Sequence, residues 1–282
     1  MKKLATLYLT VFISFSMLGN VSVTEKEALL KLYNATNGSQ WKTKWNLSAP
    51  IATWYGVKLL DDKVVAISLP NNNLAGKLPT EIFNLVNLQE LNLHKNKIVG
   101  AIPLNIGNSK GLKKIDLSFN AFSGAIPVSM CEIENLQELK LYMNKLSGEL
   151  PVHIGKLSQL ETLSLYNNEI QGQIPSSLYE LRILKKLLLN SNKLSGKLSH
   201  EIGNLKLLES LSLFENNFDG QVPLELEKLR ALKEMNISYN KFSGSVTKNL
   251  AGLDALNMAM INERGVVVVL NVVQNENIAS ED

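Results

Sequence analysis

The chain has 282 residues, with 29 Lys and Arg against 26 Asp and Glu, which gives a formal net charge of +3. This near balance argues against a general nucleic-acid binder, whose basic face would show as a large excess of positive side chains. The single cysteine excludes an internal disulfide framework and a thiolate zinc site. Leu and Asn are abundant, at 50 and 31 residues, and so much Leu excludes a disordered chain. Because Asn is polar, it must cover surface or satisfy buried backbone groups.

The first segment, residues 1–22, has the pattern of a secretory signal peptide. Met1-Lys2-Lys3 is a short basic start, and an uncharged, mostly apolar run follows from Leu4 to Leu18. The run is too short for a membrane span, and no cysteine follows it to carry a bacterial lipid anchor. A buried N-terminal helix is the alternative. We expect cleavage near residues 19–23 and a mature chain without a membrane span, secreted or at the cell surface.

Residues 23–63 are predicted to form an N-terminal cap. Thr24-Glu25-Lys26-Glu27 matches the capping box that begins a helix, which we expect to end near Gly38. A hairpin that turns at Asp61-Asp62 should lead into the next segment. All the tryptophans of the chain lie here: Trp41, Trp45 and Trp54. We expect them to pack over the core, with a sugar-stacking site as the alternative.

Residues 64–255 contain eight copies of one 24-residue repeat without an insertion. An asparagine recurs at each step: Asn72, Asn96, Asn120, Asn144, Asn168, Asn192, Asn216 and Asn240. Pairs of apolar residues keep the same step, as in Leu139/Leu141 and Leu163/Leu165. A fixed period of this length indicates a solenoid, in which each repeat buries its apolar face against its neighbours.

Each copy reads LxxLxLxxNxLxGxIPxxIGxL, which resembles the leucine-rich repeats of plant receptor ectodomains and polygalacturonase-inhibiting proteins. The resemblance implies an α/β repeat solenoid, a right-handed superhelix with a curved parallel inner sheet, an N-terminal helix and hairpin cap, and a C-terminal β-hairpin cap. Plant-type caps usually carry two cysteines, at positions that Ala52 and Leu59 occupy here. Together with the basic start, this difference favours a secreted bacterial member.

The residue types explain the repeat. The LxL segment is a short strand whose two Leu point inward, and stacked copies pair as parallel strands. The chain then turns inward at Asn, whose amide carries donors and acceptors for the backbone of neighbouring turns. The eight asparagines should therefore form a buried structural ladder. Gly, four residues on, permits a tight backbone, and the following Pro should stop regular pairing on that side.

Residues 256–282 are interpreted as a degenerate ninth repeat, a terminal hairpin and a frayed tail. Asn262–Gly265 has the composition of a turn, and Val266–Val273 is a β-branched run. We expect this hairpin to cover the last repeat, because an exposed run of this kind would promote aggregation.

No pattern in the chain indicates catalysis. It contains no GxSxG, P-loop or HExxH sequence, and the three histidines do not join a cluster of ligands: His94, His153 and His200. We therefore expect no enzymatic activity, no metal and no cofactor. Cys131 takes a position that Gly holds in other repeats, so we expect a half-buried apolar residue, with a reactive thiol as the alternative.

The concave face is the expected binding surface, because it is broad and its positions tolerate substitution. Aromatic residues and one methionine follow the second strand Leu and should line up on adjacent strands: Phe119, Tyr142, Met143, Tyr166, Phe214 and Tyr239. Exposed aromatic residues mark binding surfaces, although such strings are also common in this family. Acidic and basic residues alternate in a neighbouring column, which predicts pairing across strands. Lys113, Lys114, Lys185 and Lys186 are left as candidate contacts to an acidic partner.

The sequence therefore predicts an extracellular binding module for a protein or peptide, with a glycan as a further option. A secreted hydrolase inhibitor and a soluble subunit of a receptor or adhesin are the alternatives that the family implies. An ice-binding array would repeat one polar residue along an exposed column, and the columns here vary. The identity of the partner and the oligomeric state do not follow from the sequence.

Overall fold

A computed structural model describes residues 21–256 and 258–274. The predicted signal peptide lies almost wholly outside the described residues, as do the last eight residues of the tail. None of the described helices is both long and apolar enough to span a bilayer.

The described residues form short elements that recur along the chain. The helices are α1 Val23–Ala35 and α2 Lys248–Ala251. In chain order the strands are β1 Val57–Leu60, β2 Lys63–Ser68, β3 Ala75–Lys77, β4 Glu90–Asn92, β5 Lys97–Gly100, β6 Lys114–Asp116, β7 Ala121–Gly124, β8 Glu138–Lys140, β9 Lys145–Glu149, β10 Thr162–Ser164, β11 Glu169–Gly172, β12 Lys186–Leu188, β13 Lys193–Lys197, β14 Ser210–Ser212, β15 Asn217–Gln221, β16 Glu234–Asn236, β17 Lys241–Ser243, β18 Ser245–Thr247, β19 Ala259–Ile261, β20 Val267–Val269 and β21 Asn271–Val273.

Helix α1 begins two residues earlier than the capping-box pattern predicts. Ser22 is the N-cap residue: its Oγ accepts a hydrogen bond from Glu25 N at 3.3 Å and donates one to Glu25 Oε2 at 2.9 Å. The capping box is thus Ser22–Glu25, and the prediction of Thr24–Glu27 was wrong, because both segments fit the pattern and Ser22 had been assigned to the leader. The other carboxylate oxygen of Glu25 accepts from Val64 N at 3.1 Å and ties α1 to β2.

The three tryptophans form the centre of the N-terminal cap. Trp41, Trp45 and Trp54 are 1 %, 4 % and 2 % exposed, so they are core residues, as expected, and cannot stack against a sugar. Trp45 stacks on Trp54 with ring centroids 4.7 Å apart and meets Trp41 edge-on at 4.9 Å. The hairpin of β1 and β2 turns at Asp61 and Asp62, which have φ of 48° and 59°. These left-handed residues match the two-residue turn that suits twisted hairpins.

The first sheet contains nine described strands, in the order β1-β2-β4-β6-β8-β10-β12-β14-β16, and is parallel from β2 onward. The two apolar residues of each repeat point into the core; Leu139, Leu141 and Leu163, for example, are 0 % exposed. Strands pack about 4.8 Å apart, closer than helices can, so the sheet lies on the inside of the solenoid's curve. We call its solvent-facing surface the concave face.

A second parallel sheet runs alongside the first, in the order β17-β15-β13-β11-β9-β7-β5-β3. We expected no regular pairing on this side because of the Pro, and that expectation was wrong. The strands end before the Pro: β5 ends at Gly100, whereas Pro103 precedes the next helix. Each repeat glycine has a positive φ, such as 79° at Gly148, which a residue with a side chain rarely adopts.

Short 3₁₀ helices return the chain along the convex side. Among the described residues they are Gly38–Gln40, Ile51–Thr53, Thr80–Asn84, Leu104–Asn108, Val128–Glu132, Ile154–Lys156, Ser176–Glu180, His200–Asn204 and Leu224–Lys228. The first two belong to the N-terminal cap, and the other seven follow one another at the repeat spacing.

The repeat asparagines form a hydrogen-bonded ladder. Asn144 Oδ1 accepts from Phe122 N at 3.0 Å in the preceding repeat. Its Nδ2 donates to Leu117 O of that repeat at 3.1 Å and to Leu141 O of its own repeat at 2.9 Å. From Asn96 onward each amide thus bonds its own turn and the preceding one, not the turns on both sides, and the amide of Asn72 bonds Thr43 of the N-terminal cap instead. Four of the eight are buried, namely Asn72, Asn168, Asn216 and Asn240, and the other four are partly exposed.

The C-terminal cap contains the predicted hairpin, but its valines do not cover the core. The turn closes with a hydrogen bond from Gly265 N to Asn262 O at 2.9 Å, and β19 pairs antiparallel with β20. Val267 and Val269 are 51 % and 62 % exposed, and burial comes instead from Met258, Met260 and Leu270. The valine run breaks at Leu270, after which β21 pairs parallel with β18.

Candidate functional site

A row of aromatic rings stands in the middle of the concave face, beside β6, β8 and β10. Tyr142 and Tyr166 occupy equivalent positions of adjacent repeats, and their rings stack with centroids 4.4 Å apart and planes 12° apart. Phe119 meets Tyr142 edge-on at 5.6 Å and is 39 % exposed. Burial, followed by the proximity of Tyr142, raises the pKa of Tyr166, so the Tyr166 phenol is neutral at physiological pH.

His94 extends this row, and the sequence-based hypothesis left it out. Its ring meets Phe119 edge-on at 5.3 Å, and its Nδ1 lies 2.8 Å from Ser118 Oγ. Ser118 Oγ donates to Asp116 Oδ1, which also accepts from Ser118 N at 3.1 Å. Because Ser118 is 0 % exposed and donates to the carboxylate, it is not placed as a nucleophile. The arrangement holds the histidine ring against the aromatic row.

The other predicted site residues do not join this row. Phe214 packs against Tyr239 with ring centroids 5.2 Å apart, toward the C-terminal end of the concave face. The Met143 sulfur lies beside the amide of Asn167 rather than against a ring. The six predicted residues are thus divided: Phe119, Tyr142 and Tyr166 form the aromatic row with His94, and Phe214 and Tyr239 form a separate pair.

The second residue after the second buried strand residue of each repeat has a left-handed backbone. Its φ is 52° at Phe119, 55° at Met143 and 57° at Tyr239. This conformation is uncommon for bulky side chains, and the parallel ladder holds it in place. Phe119 N, for example, donates to Tyr142 O at 3.0 Å. The fold therefore fixes the direction of these side chains whatever their identity.

Charged residues beside the rings pair across strands, as predicted. Lys185 and Glu161 are 2.7 Å apart, and Lys233 and Glu209 are 2.8 Å apart. Glu138 contacts both Lys140 at 2.6 Å and Lys114 at 3.1 Å. The hydrogen bond from Lys140 lowers the pKa of Glu138, with a further contribution from Lys114. Because these charges are paired, the surface is a poor binding site for a strongly charged partner. Lys114 and Lys185, two of the candidate contacts to an acidic partner, already form ion pairs with Glu138 and Glu161.

The position between the two buried strand residues also faces the concave surface, and the prediction of the site did not consider it. Along the solenoid it is occupied by Ser68, Asn92, Asp116, Lys140, Ser164, Leu188, Ser212 and Asn236. The period of two along a strand was a sufficient signal, because it turns this position outward. This row supplies Asp116 and Lys140 to the charged half of the face and Leu188 to the other half.

Ser164, in this row, has a buried hydroxyl group without a hydrogen-bond partner, and its replacement tests what that costs in stability. It is 3 % exposed, and its Oγ has no hydrogen-bond partner. Ser164→Ala should raise the free energy of unfolding by about 1 kcal/mol, because it removes an unpaired buried hydroxyl. Ser118→Ala is the matched control and should lower the free energy of unfolding, since Ser118 Oγ bonds Asp116. Urea denaturation measures both changes, and a loss of stability in Ser164→Ala would contradict the assignment.

The described residues contain no cluster of three or more His, Cys, Asp or Glu that could hold a metal ion. Cys131 is 1 % exposed, so it is fully rather than half buried. It lies in the 3₁₀ helix Val128–Glu132 of the convex side, away from the concave face.

Burial raises the pKa of the Cys131 thiol from 9.0 to about 11, which opposes the alternative of a reactive cysteine. At pH 8 we expect about 100-fold less thiolate than for an exposed thiol, and slower alkylation still because of burial. Mass spectrometry after iodoacetamide treatment, with and without urea, measures this protection. Equal rates of alkylation in the native and urea-treated protein would refute it.

Comparison with known proteins agrees with this architecture. A family model described as "Leucine-rich repeat region" matches residues 127–261, and one described as "Leucine Rich Repeat" matches residues 87–109. The leucine-rich repeat receptor protein kinase EMS1 of Arabidopsis thaliana is 34 % identical over 93 residues, which are 32 % of this chain and 8 % of that kinase. This chain spans less than a tenth of the curated relatives that it matches.

Two solved structures are similar over most of the chain. The plant peptide hormone receptor RGFR1 in complex with RGF2 has a TM-score of 0.66 and 31 % identity, over 75 % of this chain and 32 % of that chain. A plant ice-binding protein has a TM-score of 0.64 and 22 % identity, over 90 % of this chain and 88 % of that chain. The second likeness concerns the fold alone.

The repeat register, the asparagine ladder and the matching models together show a leucine-rich repeat solenoid. More particularly, its repeats are of the plant type, which fits the likeness to the plant receptor RGFR1. The relatives named above come from plants and give no support to the expectation of a bacterial source, which stays a prediction.

Proposed function

We propose that this protein is a non-enzymatic, extracellular binding module that holds a peptide or a segment of a protein on its concave face. The observation that carries the proposal is the stacked aromatic row of Phe119, Tyr142 and Tyr166. The interior of the repeats is filled by residues such as Leu141 and Leu165, so the core does not require these rings. Partly exposed tyrosines on a rigid surface are typical of residues that dominate binding energy.

The scaffold makes these rings effective anchors. The left-handed backbone beside them and the two sheets hold them in place before a partner arrives, so little conformational entropy is lost on binding. Burying one side of such an aromatic row against a partner gives about 25 cal/mol for each Å² removed from water. The paired charges around the row would remain at the margin of the contact, where they give specificity rather than affinity.

The likeness to a solved plant peptide hormone receptor supports a peptide as the ligand class. Variation of the outward columns supports recognition of one partner rather than a repeated lattice such as ice. Secretion through cleavage near residues 19–23, cap and repeat boundaries at residues 23–63 and 64–255, and a terminal segment at 256–282 belong to the same proposal. The narrower roles of hydrolase inhibitor and soluble receptor subunit depend on which partner is found.

Affinity capture with quantitative mass spectrometry tests the proposal. Immobilised wild type is compared with Tyr142→Ala/Tyr166→Ala and with Leu104→Ala/Val152→Ala, which removes exposed apolar side chains outside the first sheet. A partner retained by wild type and by the control, but bound at least tenfold more weakly by the tyrosine variant, supports concave-face binding. Equal capture by all three proteins would refute it.

A further inference from the structure

A second feature of the concave face is a shallow depression of about 450 Å³ on its C-terminal half. One wall is Tyr166, and the far end is formed by Leu253 and Ala255, which follow α2. The rest of the lining is contributed by β12, β14 and β16 and their flanking residues: Leu188, Asn190, Ser210, Leu211, Ser212, Lys233, Glu234, Met235 and Asn236. We call this depression the C-terminal concavity.

Leu188 makes the floor of the C-terminal concavity apolar. It is partly exposed and takes an outward position that is polar in every other repeat, with Ser164 and Ser212 beside it in register. The core does not need this side chain, because Leu187 and Leu189 on either side of it both point inward and are 0 % exposed. A leucine placed outward among serines and asparagines is explained by contact with something outside the chain.

Tyr166 offers the concavity one face of its ring. The opposite face is covered by Tyr142, whose ring is nearly parallel to it at 4.4 Å. The next repeat has the short Asn190 at the equivalent position, so the second face of Tyr166 opens over the floor. A flat or branched apolar group that enters here contacts the ring on one side and Leu188 beneath.

The polar groups over the floor itself are neutral. Asn190, Ser210, Ser212 and Asn236 can donate and accept hydrogen bonds but cannot balance a charge. Charges lie at the margin: Lys233 is neutralised by Glu209 at 2.8 Å, and Glu234 is an exposed carboxylate that accepts from Ser210 Oγ at 3.5 Å. A charged ligand group over Leu188 would lose its hydration without an ionic partner at the floor. The opposite half of the concave face, with Asp116, Glu138 and Lys140, has the contrary character.

We propose that the C-terminal concavity is an anchor pocket for one uncharged aromatic or large aliphatic side chain of a polypeptide partner. The inference rests on the proposed function and adds to it which kind of side chain of the partner is bound, and where on the concave face it binds. An apolar floor with neutral polar sides and charges only at the margin is the arrangement found in protein interfaces around an energetically dominant residue. A neutral saccharide carries hydroxyls around the rim of each ring, and those that meet Leu188 and Leu253 would stay unpaired.

Methyl NMR of the full chain tests the pocket directly. The probes are the N-acetyl amides of Trp, Phe, Leu, Ser, Asp and Lys, with chitotriose and cellotriose as neutral saccharides. We expect the Trp, Phe and Leu amides to shift the Leu188 and Met235 methyl resonances in a saturable way. The Ser, Asp and Lys amides and both saccharides should shift them at least tenfold less at equal concentration.

Leu188→Ser is the decisive variant, because serine stands at this position in both flanking repeats and the fold accepts it there. It should weaken binding of the Trp amide at least tenfold, read from the Met235 methyl. Leu207→Ser, at an exposed turn position, is the matched control and should bind like wild type. A saccharide response at these methyls, or no response to any apolar amide, would overturn the inference.

The two proposals fail in different ways. If the apolar amides bind the pocket but the tyrosine variant still captures every partner, concave-face recognition fails while the pocket is real. If partner capture is lost in the tyrosine variant but Leu188→Ser binds the purified partner like wild type, the anchor pocket fails and the proposed function stands. In the outcome that supports both, Leu188→Ser also loses at least tenfold in affinity for that partner.

Discussion

Asn144→Leu should lower the free energy of unfolding by about 3–5 kcal/mol, a large share of the stability of a domain. The change leaves Phe122 N without its partner and removes one of the two amide hydrogen bonds that Leu117 O and Leu141 O each accept. No water can take the place of the amide once a leucine fills the space. Because each repeat is stabilised by its neighbours, the damage should extend beyond the altered turn.

Urea denaturation followed by circular dichroism measures this loss, with Asn87→Leu as the control. Asn87 is exposed in the turn before β4, so its replacement should change the free energy of unfolding by less than about 0.5 kcal/mol. A ladder variant as stable as this control would show that the asparagine amide is not what satisfies the turn.

Trp45→Ala should lower the free energy of unfolding by about 3–5 kcal/mol through loss of the N-terminal cap. The indole is 4 % exposed, stacks between Tyr33 at 5.9 Å and Trp54 at 4.7 Å, and donates from Nε1 to Tyr55 O at 2.8 Å. No disulfide secures this cap, so aromatic packing has to close the first repeat. Removal of the ring leaves a cavity next to the end of the solenoid.

Trp45→Phe is the graded comparison for this prediction. It keeps an aromatic ring in the stack but loses part of the volume and the Nε1 donor, so it should cost less than the alanine variant. Hydrogen exchange locates the effect, which we expect to be strongest in α1, β1 and β2 and weak beyond β6. Uniform loss of protection along all repeats would contradict a local capping role.

The solenoid and its ladder could be predicted from the sequence because their signals are periodic. The step of 24 residues places Asn120 and Asn144 in equivalent turns. A side-chain amide in such a turn can bond the nearby backbone, so the ladder follows from the spacing. The same step predicts that Tyr142 and Tyr166 are neighbours on adjacent strands. Adjacency of this kind follows from register alone.

Other features depend on choices that a pattern leaves open. Ser22–Glu25 and Thr24–Glu27 both fit a capping box, and only the position of Val64 N, which Glu25 also satisfies, distinguishes them. The second sheet was missed because β5 and β7 show no simple alternation of apolar and polar residues. The contact of His94 with Ser118 depends on rotamers, and a spacing in the sequence does not specify rotamers.

Leu188 is a different case, because its signal was present in the run Leu187-Leu188-Leu189. A strand that buries alternate residues must turn the middle one outward. The run resembles ordinary core sequence, so its middle residue attracts no notice unless the faces are separated position by position.

Because each ladder amide bonds the preceding repeat, the backbone of a repeat is satisfied by the repeat that follows it in the chain. The amide of each repeat serves the turn before it, so a repeat is finished only when its successor has folded against it. At the end of the series Asp254 closes the first sheet: its carboxylate accepts from Ile237 N at 2.9 Å, whereas one repeat earlier Leu213 N donates to Asn236 O of the next strand, and it also accepts from Ser238 Oγ at 3.0 Å. Repeats added or deleted as whole units before this stop would keep every bond of the series, whereas a break inside a unit would leave one turn open. The number of repeats can therefore change in evolution or by design without a new way to end the array.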